Sequence, residues 1–425
     1  MNYTLDLKLK GTKTIKRRKK DNISLLLGGV KDMLRDRSFN GNRLKSARIY
    51  RGITITELAE KLGVSKQMIS KYESNKSVPS FESLLIIIDI LDFPRDYFFE
   101  EDLINLQIND TYFQSLAFTT KKEQQMQNDR IKFLAVIRQL LEKYIEFPTL
   151  DIPEINNQEL LNGELIAERL REHWGLADEP ITSVVRLLEK KGFIVVSPDI
   201  KISGINAFSQ KKVINGKDYY FIVLGDDDGV AVKRQSSAAH ELGRMILRET
   251  YIDMAKVDKE QIREIENEAQ EFAAAFLLPK EAYTQDIVLH PLDLDYYVHL
   301  KKKWCVSISA MTVRSYKLGI ITQSQYQYLQ RKINQRGWRK SEPLDHTLKL
   351  FMPIAFEEAI RLLQDNNILS GYAVVEMLSK KYQLSLHPKE IESLLGLVPG
   401  MLAPIKSVRC DNIVRIKKLE QGIDK

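Results

Sequence analysis

Apolar residues recur at helical spacing in four short segments between residues 43 and 99, and tight turns separate these segments. NRLKSARIYRG ends at a glycine. TITELAEKLG starts with Thr54 as N-cap and has Glu57 three residues later, which is a capping box. SKQMISKYESNK begins with Ser65 as N-cap, and FESLLIIIDIL follows a proline break. The pattern predicts an all-α domain of short helices over residues 41–100.

The third of these helices has a polar face opposite Ile69 and Tyr72, and the sequence Gly-Val-Ser separates it from the second helix. The polar side chains are Lys66, Gln67, Ser70 and Lys71. Two helices in this arrangement indicate a helix-turn-helix, and these residue types can contact base edges or phosphates. Residues 43–76 hold eight basic and three acidic side chains, so Arg43 and Lys76 join the DNA-binding candidates. The alternative is a helical bundle that binds protein.

The segment LKSARIYRGITITELAEKLGVSKQMISKYESNKSVPS resembles the XRE (Cro/cI-like) DNA-binding domain. The resemblance implies that Arg48 and Glu73 form an ion pair that braces the third helix. One position departs from the family pattern. Ile55 stands where the family usually has a glutamine that contacts a phosphate, so we expect one backbone contact to be missing.

Positive charge is concentrated at the N-terminus. The chain has 425 residues and a formal net charge of +7, and residues 1–40 alone hold eleven basic and four acidic side chains. The densest run is KTIKRRKK, from Lys13 to Lys20. Next to a DNA-binding domain, this pattern predicts a basic N-terminal arm over residues 1–40 that contacts the DNA backbone or the minor groove. The alternative is a solvated tail.

Length and composition limit the remaining possibilities. At roughly 100–200 residues per domain, 425 residues predict about two to four domains. No apolar run approaches the ~20 residues that span a bilayer, so we expect no membrane contact. Cys305 and Cys410 lie far apart and suggest neither a disulfide framework nor a metal cluster. These features favour a cytoplasmic protein.

The middle of the chain changes from helical to mixed patterns. TTKKEQQMQNDRIKFLAVIRQLLEKYIEFP has apolar residues at helical spacing and predicts a helical linker over residues 101–158. Two helices follow, and then two apolar runs, Phe193–Val196 and Tyr219–Gly225, that predict strands. We therefore predict an α+β domain over residues 159–345.

The segment RQSSAAHELGRMILRE carries the most informative chemistry of that domain. His240 and Glu241 begin a pattern like HExxH, in which two histidines one helical turn apart hold zinc and the glutamate is the general base. Here the fifth position is Arg244. A second apolar helix is predicted from Glu264 to Tyr283.

The chain resembles the ImmA/IrrE family of zinc metallopeptidases in these segments and in WGLADEPI, LLEKKGFIVV and KKWCVSISAMTVRSYKLGIITQSQYQYLQ. The resemblance implies a zincin-like fold. By this resemblance His240 is the first zinc ligand and Glu241 the general base. Glu266 matches the third ligand, with Glu268 as the nearby alternative. Proteins that combine XRE and ImmA/IrrE domains are bacterial and phage regulators.

Arg244 conflicts with a zinc site. A guanidinium stays protonated in proteins and has no lone pair to donate, so it cannot replace a histidine ligand. We expect it to pair with Glu241 or Glu266, which leaves a zinc-free pseudo-peptidase in which Glu241 is inactive and the His240 and Glu266 site is empty. Rescue by His290 or His299 is the alternative.

The sequence thus predicts a mainly α protein with one α+β domain and a helical C-terminal region over residues 346–425, in which we identify no chemistry. The predicted function is a DNA-binding transcriptional regulator that acts as a homodimer on double-stranded DNA. Its ImmA/IrrE-like domain would be a sensor or partner-binding module that takes a peptide, a protein or a small molecule. The alternative is a zinc metallopeptidase that cleaves a repressor. No cofactor is expected unless the zinc site is rescued.

Overall fold

A computed structural model of the chain gives the arrangement of most of its residues. The residues that it describes are 5, 7–9, 38–102, 108–110, 121–154, 162–198, 207–214, 216–225, 228–248 and 259–404. The fold is mostly helical with one small mixed sheet, which confirms the predicted fold class. Within the described residues, no helix has the length and apolar character needed to cross a bilayer. The predicted basic run Lys13–Lys20 and the chain after residue 404 lie outside these ranges.

The N-terminal domain forms the four predicted helices. They are α1 (Gly41–Tyr50), α2 (Ile55–Leu62), α3 (Lys66–Glu73) and α4 (Phe81–Leu91), followed by a 3₁₀ helix (Arg95–Phe99). Local signals set their ends. The Thr54 hydroxyl accepts from the Glu57 amide while the Glu57 carboxylate accepts from the Thr54 amide, and Gly63 ends α2 at a φ of 69°. The Ser65 hydroxyl caps α3 by accepting a hydrogen bond from the Met68 amide.

The predicted linker contains α5 (Lys121–Leu141), which is a central helix of the structure. From Ile131 to Leu141 nearly every side chain is buried, on all sides of the helix. It packs against α1 on one side and against C-terminal helices on another. A helix that is apolar all round is an interior helix, so the expectation of a connecting helix understated its role.

Six short strands form two sheets in the part of the chain that the structure describes. They are β1 (Lys8–Leu9), β2 (Ile108–Asp110), β3 (Ile145–Glu146), β4 (Ile194–Val196), β5 (Ala207–Ile214) and β6 (Lys217–Leu224). β1 pairs antiparallel with β3, and the larger sheet has the order β2-β5-β6-β4. In it β4 runs parallel to β6, whereas β5 runs antiparallel to both β6 and β2. The sequence analysis predicted β4 and β6 but missed β5.

The larger sheet separates two apolar cores. Phe221 and Val223 face the core that contains α5 and the N-terminal domain. The alternating residues Ile222 and Leu224 face the second core, which is formed with the helices of the α+β domain. One strand therefore contributes side chains to both cores.

The helices of the α+β domain surround the second core. They are α6 (Gly163–His173), α7 (Val184–Lys190), α8 (Ala231–Arg248), α9 (Lys259–Leu277), α10 (Lys280–Ile287), α11 (Leu294–Trp304), α12 (Ile308–Lys317) and α13 (Gln323–Gln335). The prediction of a single helix from Glu264 to Tyr283 is wrong, because α9 ends before Pro279 and α10 starts after it. Proline lacks the amide hydrogen that would continue the helix.

The C-terminal region is helical as predicted and returns to the N-terminal domain. Its helices are α14 (Ala355–Asp365), α15 (Gly371–Tyr382) and α16 (Pro388–Leu395). The Glu390 carboxylate accepts a hydrogen bond from the Tyr50 hydroxyl at 2.5 Å and pairs with Arg51 Nη1 at 2.7 Å. The Ser385 amide and hydroxyl donate to the buried Glu100 carboxylate. The region therefore holds α1 and the end of the N-terminal domain in place.

Candidate functional sites

The helix α3 presents the polar face that the sequence predicted. Ile69 and Tyr72 are buried in the domain core. The predicted DNA-contacting side chains of α3 and the following turn are exposed; these are Lys66, Gln67, Ser70, Lys71 and Lys76. Cationic and amide side chains on one exposed helix face suit contact with phosphates and base edges in a major groove.

A buried ion pair fixes the position of α3 relative to α1. Arg48 Nη2 donates to Glu73 Oε2 at 3.0 Å, and Arg48 Nη1 also donates to the Ile53 carbonyl. Both charged side chains are buried, so removal of one would leave the other without compensation. The ion pair that the XRE resemblance implied is thus present. Ile55, at the start of α2, packs against the same core.

Arg43 departs from the DNA-binding prediction. It is 3% exposed, and its guanidinium donates to the carbonyls of Glu101 and Gln383 while it lies over the Tyr97 ring. Gln383 lies 340 residues further along the chain, so no local pattern could indicate this contact. In this arrangement Arg43 joins the N-terminal domain to the C-terminal region and does not face solvent.

The HExxH-like segment lies on α8, facing α9, and the two helices bring its charged residues together. Arg244 Nη1 donates to Glu241 Oε1 at 2.6 Å, and Arg244 Nε donates to Glu266 Oε2 at 2.9 Å. His240 Nε2 lies 3.2 Å from the same Glu266 oxygen. The Ser209 hydroxyl on β5 donates to Glu241 Oε2 at 2.7 Å. Arg244 thus bridges the two carboxylates, whereas the sequence analysis expected it to pair with Glu241 or Glu266.

Close packing of α8 and α9 makes this bridge possible. Gly243 lies next to Arg244, and a Cβ atom added there would lie 2.6 Å from Cδ1 of Phe272 on α9. A larger residue would therefore push the two helices apart. Burial alone would lower the pKa of the Arg244 guanidinium, but the Glu241 and Glu266 carboxylates outweigh this effect and raise that pKa above its usual value. The arginine is therefore a permanent cation at this point.

The residues of this charged cluster do not fit a zinc ion. Zinc sites use at least three neutral-imidazole, thiolate or carboxylate ligands, and here the guanidinium occupies one carboxylate oxygen of each glutamate. Among the described residues, no group of three or more His, Cys, Asp or Glu side chains is arranged to hold a metal. Glu268, the alternative ligand, accepts a hydrogen bond from the Gly163 amide at 2.9 Å. His290 and His299 lie against the Tyr296 ring.

Two known protein families match separate parts of the chain. The helix-turn-helix family matches residues 44–98, and the family described as the IrrE N-terminal-like domain matches residues 189–316. An uncharacterized HTH-type transcriptional regulator of Rickettsia conorii is 32% identical over an alignment of 109 residues, with 23% of this chain and 87% of that protein covered. The chain belongs to the HTH-type transcriptional regulators. A similar regulator of Rickettsia prowazekii is also 32% identical over 109 residues, with 23% and 84% of the two chains covered.

The regulator carries its helix-turn-helix domain before a larger IrrE-like domain. The IrrE-like match starts before β4 and ends within α12, so it includes Ser209, His240, Glu241, Arg244 and Glu266. The sequence analysis missed Ser209 as a site residue. Only its position as a polar residue within a strand could have indicated a role for Ser209. That strand, β5, was not predicted.

Proposed function

We propose that this regulator binds DNA through α3 and uses its IrrE-like domain, without zinc, as a sensor or partner-binding module. The observation that carries the second part is the position of Arg244. Its guanidinium contacts both the residue that would be the general base, Glu241, and the residue that would be a zinc ligand, Glu266. The Arg244 side chain thus pairs with carboxylate oxygens that a catalytic metal site would need.

A base that is ion-paired in this way is also poorly suited to catalysis. A general base must accept a proton from a water molecule or a substrate within hydrogen-bond reach. Both oxygens of Glu241 are engaged, one by Arg244 and one by Ser209, and the side chain is only 2% exposed. These contacts support a structural role for Glu241 in the regulator and disfavour the metallopeptidase alternative.

The DNA-binding half of the proposal rests on the exposed polar face of α3. We propose that Gln67, Ser70 and Lys71 contact base edges, and that Lys66 and Lys76 contact phosphates. A single helix-turn-helix module buries little surface, so we further propose that the regulator binds as a homodimer on two half-sites about one helical turn apart.

The direct test is a selection of bound sequences from random double-stranded DNA with the full-length protein, followed by affinity measurements on the selected site. Gln67→Ala and Lys71→Ala should each weaken binding by roughly 1–3 kcal/mol if these side chains touch bases. Gln270→Ala on α9 and Lys381→Ala on α15 are matched controls, because both side chains are exposed and distant in sequence from α3. Unchanged affinity in both α3 variants would remove α3 from the proposal.

The phosphate contacts have a separate readout. Lys66→Ala and Lys76→Ala should weaken binding to selected and unselected DNA alike. Each should also reduce the slope of log affinity against log salt by about one. An unchanged slope in both variants would contradict their assignment.

A further inference from the structure

Basic side chains are concentrated in the last three helices of the α+β domain. Residues 296–341 contain ten Lys and Arg and no Asp or Glu, whereas the whole chain has a net charge of only +7. The match to the IrrE-like family ends at residue 316, within α12, so α13 and the turn after it lie beyond that match. A surface of like charge attracts a polyanion. Such a concentration indicates a polyanionic partner unless the charges are paired within the fold.

Five of these ten cations are paired with carboxylates of the protein itself. Lys301 is buried and contacts both Glu342 and Asp345. The other four pairs are Lys303 with Asp286, Arg314 with Glu164, Lys317 with Glu271 and Arg336 with Asp295. These contacts explain half of the charges by the folding of the domain.

The other five cations form no ion pair with the described residues. All of their side chains are exposed; they are Lys302, Arg331, Lys332, Arg339 and Lys340. Arg336 is also accessible, with 39% of its side chain exposed, although Asp295 and Asp293 at the start of α11 lie near it. We use the name α13 basic surface for the five cations of α13 and the turn after it, which are Arg331, Lys332, Arg336, Arg339 and Lys340.

The fold holds the α13 basic surface in place. Leu329 and Ile333 are buried on the opposite side of α13, in the second core, and Trp338 packs against the same core. Thr322 starts the helix with a capping box to Gln325. The cations are therefore carried by a helix and a turn with buried anchors, unlike those of a solvated tail.

The exposed side of α13 adds neutral polar groups to these charges. Ser324 and Gln335 lie on the same side of the helix as Arg331, and Lys332 lies over the Tyr328 ring. From Ser324 to Gln335 this side extends over about 16 Å, at about 1.5 Å per residue. B-DNA carries one phosphate per about 1.7 Å of its axis, counting both strands, so a surface of this length can meet several phosphates.

We propose that the α13 basic surface is a second contact with double-stranded DNA, and that it binds phosphates outside the site that α3 contacts. The proposal rests on the proposed DNA-binding function and adds a second surface to it. Lys and Arg bind phosphates without reading the base sequence. Once α3 has bound its site, the flanking duplex is tethered near the protein, so even weak phosphate contacts add to the affinity. The α+β domain thus contributes directly to DNA binding.

The test compares two duplexes that contain the same selected site. One duplex ends at the site, and the other extends it on each side by about three helical turns of unselected sequence. The test variant of the full-length protein removes four charges from each protomer by Arg331→Gln, Lys332→Gln, Arg339→Gln and Lys340→Gln. Fluorescence anisotropy measures the affinity of the parent and of this variant for both duplexes over a range of salt concentrations.

The variant should lose affinity only where flanking DNA is present. On the long duplex it should bind about tenfold or more weakly than the parent, and the slope of log affinity against log salt should fall by about 3–4 per protomer. On the short duplex its affinity should stay within about twofold of that of the parent, because α3 is unchanged. A long duplex that the variant binds as tightly as the parent does would overturn the proposal.

A matched variant separates the α13 basic surface from the total charge of the protein. It removes four exposed cations of other segments by Lys190→Gln, Lys349→Gln, Lys381→Gln and Lys389→Gln. This control should bind both duplexes as the parent does. Equal losses in the two fourfold variants would overturn the proposal, and so would a loss confined to single-stranded DNA.

Two further measurements keep the test decisive. If circular dichroism shows that the fourfold α13 variant does not fold, Arg339→Gln with Lys340→Gln, in the turn after α13, should still lower the slope by about 2 per protomer. A long duplex without the selected site should show the same fall in slope for the α13 variants. Gln67→Ala and Lys71→Ala act instead on the preference for the selected site. Failure of the α13 basic surface and failure of α3 are therefore distinguishable.

Discussion

Arg244 Nη1 lies 2.6 Å from Glu241 Oε1, one turn earlier on the same helix, and its guanidinium also donates to Glu266 on the neighbouring helix. One fixed cation therefore pairs with two carboxylates that a metallopeptidase would present to its metal and its water. This pairing is built into the chain and does not depend on the concentration of any ion.

The first prediction concerns the stability of the cleft. Arg244→Met should lower the free energy of unfolding by about 3–5 kcal/mol, because it leaves the buried Glu241 carboxylate without its cation. Adding Glu241→Gln to that variant should recover part of the loss, since the remaining buried group is then neutral. Urea unfolding followed by circular dichroism measures both values.

A surface ion pair supplies the control for that prediction. Arg361 pairs with Glu357 on α14, and the Arg361 side chain is 57% exposed. Arg361→Met should cost roughly 0–1 kcal/mol. Equal losses in Arg244→Met and Arg361→Met would show that the cleft ion pair contributes no more than an exposed one.

The second prediction concerns pH. Glu189 on α7 is buried, and its Oε1 accepts from the amides of Ile354 and Ala355 at 2.8 Å each, where α14 begins. Burial raises the pKa of Glu189 from 4.5 to about 7, against the effect of these hydrogen bonds and of Arg186. Between pH 4.5 and 7 the folded protein therefore keeps a proton that the unfolded chain has released. This contribution to stability is full below pH 4.5 and is lost as the pH rises towards 7.

Glu189→Gln isolates that contribution, because glutamine does not titrate. The unfolding free energy of the parent, relative to this variant, should fall by about 3 kcal/mol between pH 4.5 and pH 8. Urea unfolding of both proteins across this range gives the difference. A difference that stays constant with pH would contradict the assignment of a raised pKa to Glu189.

The third prediction concerns the contact between the C-terminal region and the DNA-binding domain. Burial raises the pKa of the Tyr50 hydroxyl well above its usual value, and Glu390 raises it further, so Tyr50 remains a donor to Glu390. Glu390→Gln should weaken this contact and the pair with Arg51 by about 1.5–3 kcal/mol. Amide hydrogen exchange in α1 and α16 should become faster in this variant.

The exposed pair on α15 is the matched control. Glu376 lies 3.4 Å from Lys380, and both side chains are largely accessible. Glu376→Gln should leave exchange in α1 and α16 unchanged. If Glu390→Gln also leaves it unchanged, the C-terminal region does not brace α1.

Local signals explain why the DNA-binding domain could be predicted from the sequence. The ends of α2 and α3 are set within a few residues by the Thr54 and Glu57 capping box, by Gly63 and by Ser65. The spacing of apolar residues sets which side of each helix is buried. The pairing of Arg244 with Glu241 or Glu266 was also predicted, and the structure shows both contacts at once.

Long-range contacts explain what the sequence analysis missed. Arg43 is buried through a contact with Gln383, which no local pattern encodes. β5 carries Ser209, Gln210 and Lys212 at buried positions, so its sequence lacks the alternating pattern of a half-exposed strand. These polar residues are tolerated because they have partners on other elements, such as Glu241 and Asn128.

The most direct test of the central claim is the zinc content of the full-length protein, purified without chelator and measured by elemental mass spectrometry. An Arg244→His variant is purified in parallel, because it restores the missing imidazole one turn after His240. We expect zinc far below one ion per chain in the parent and close to one ion per chain in the variant. One zinc per chain in the parent would contradict a zinc-free module and would favour the metallopeptidase.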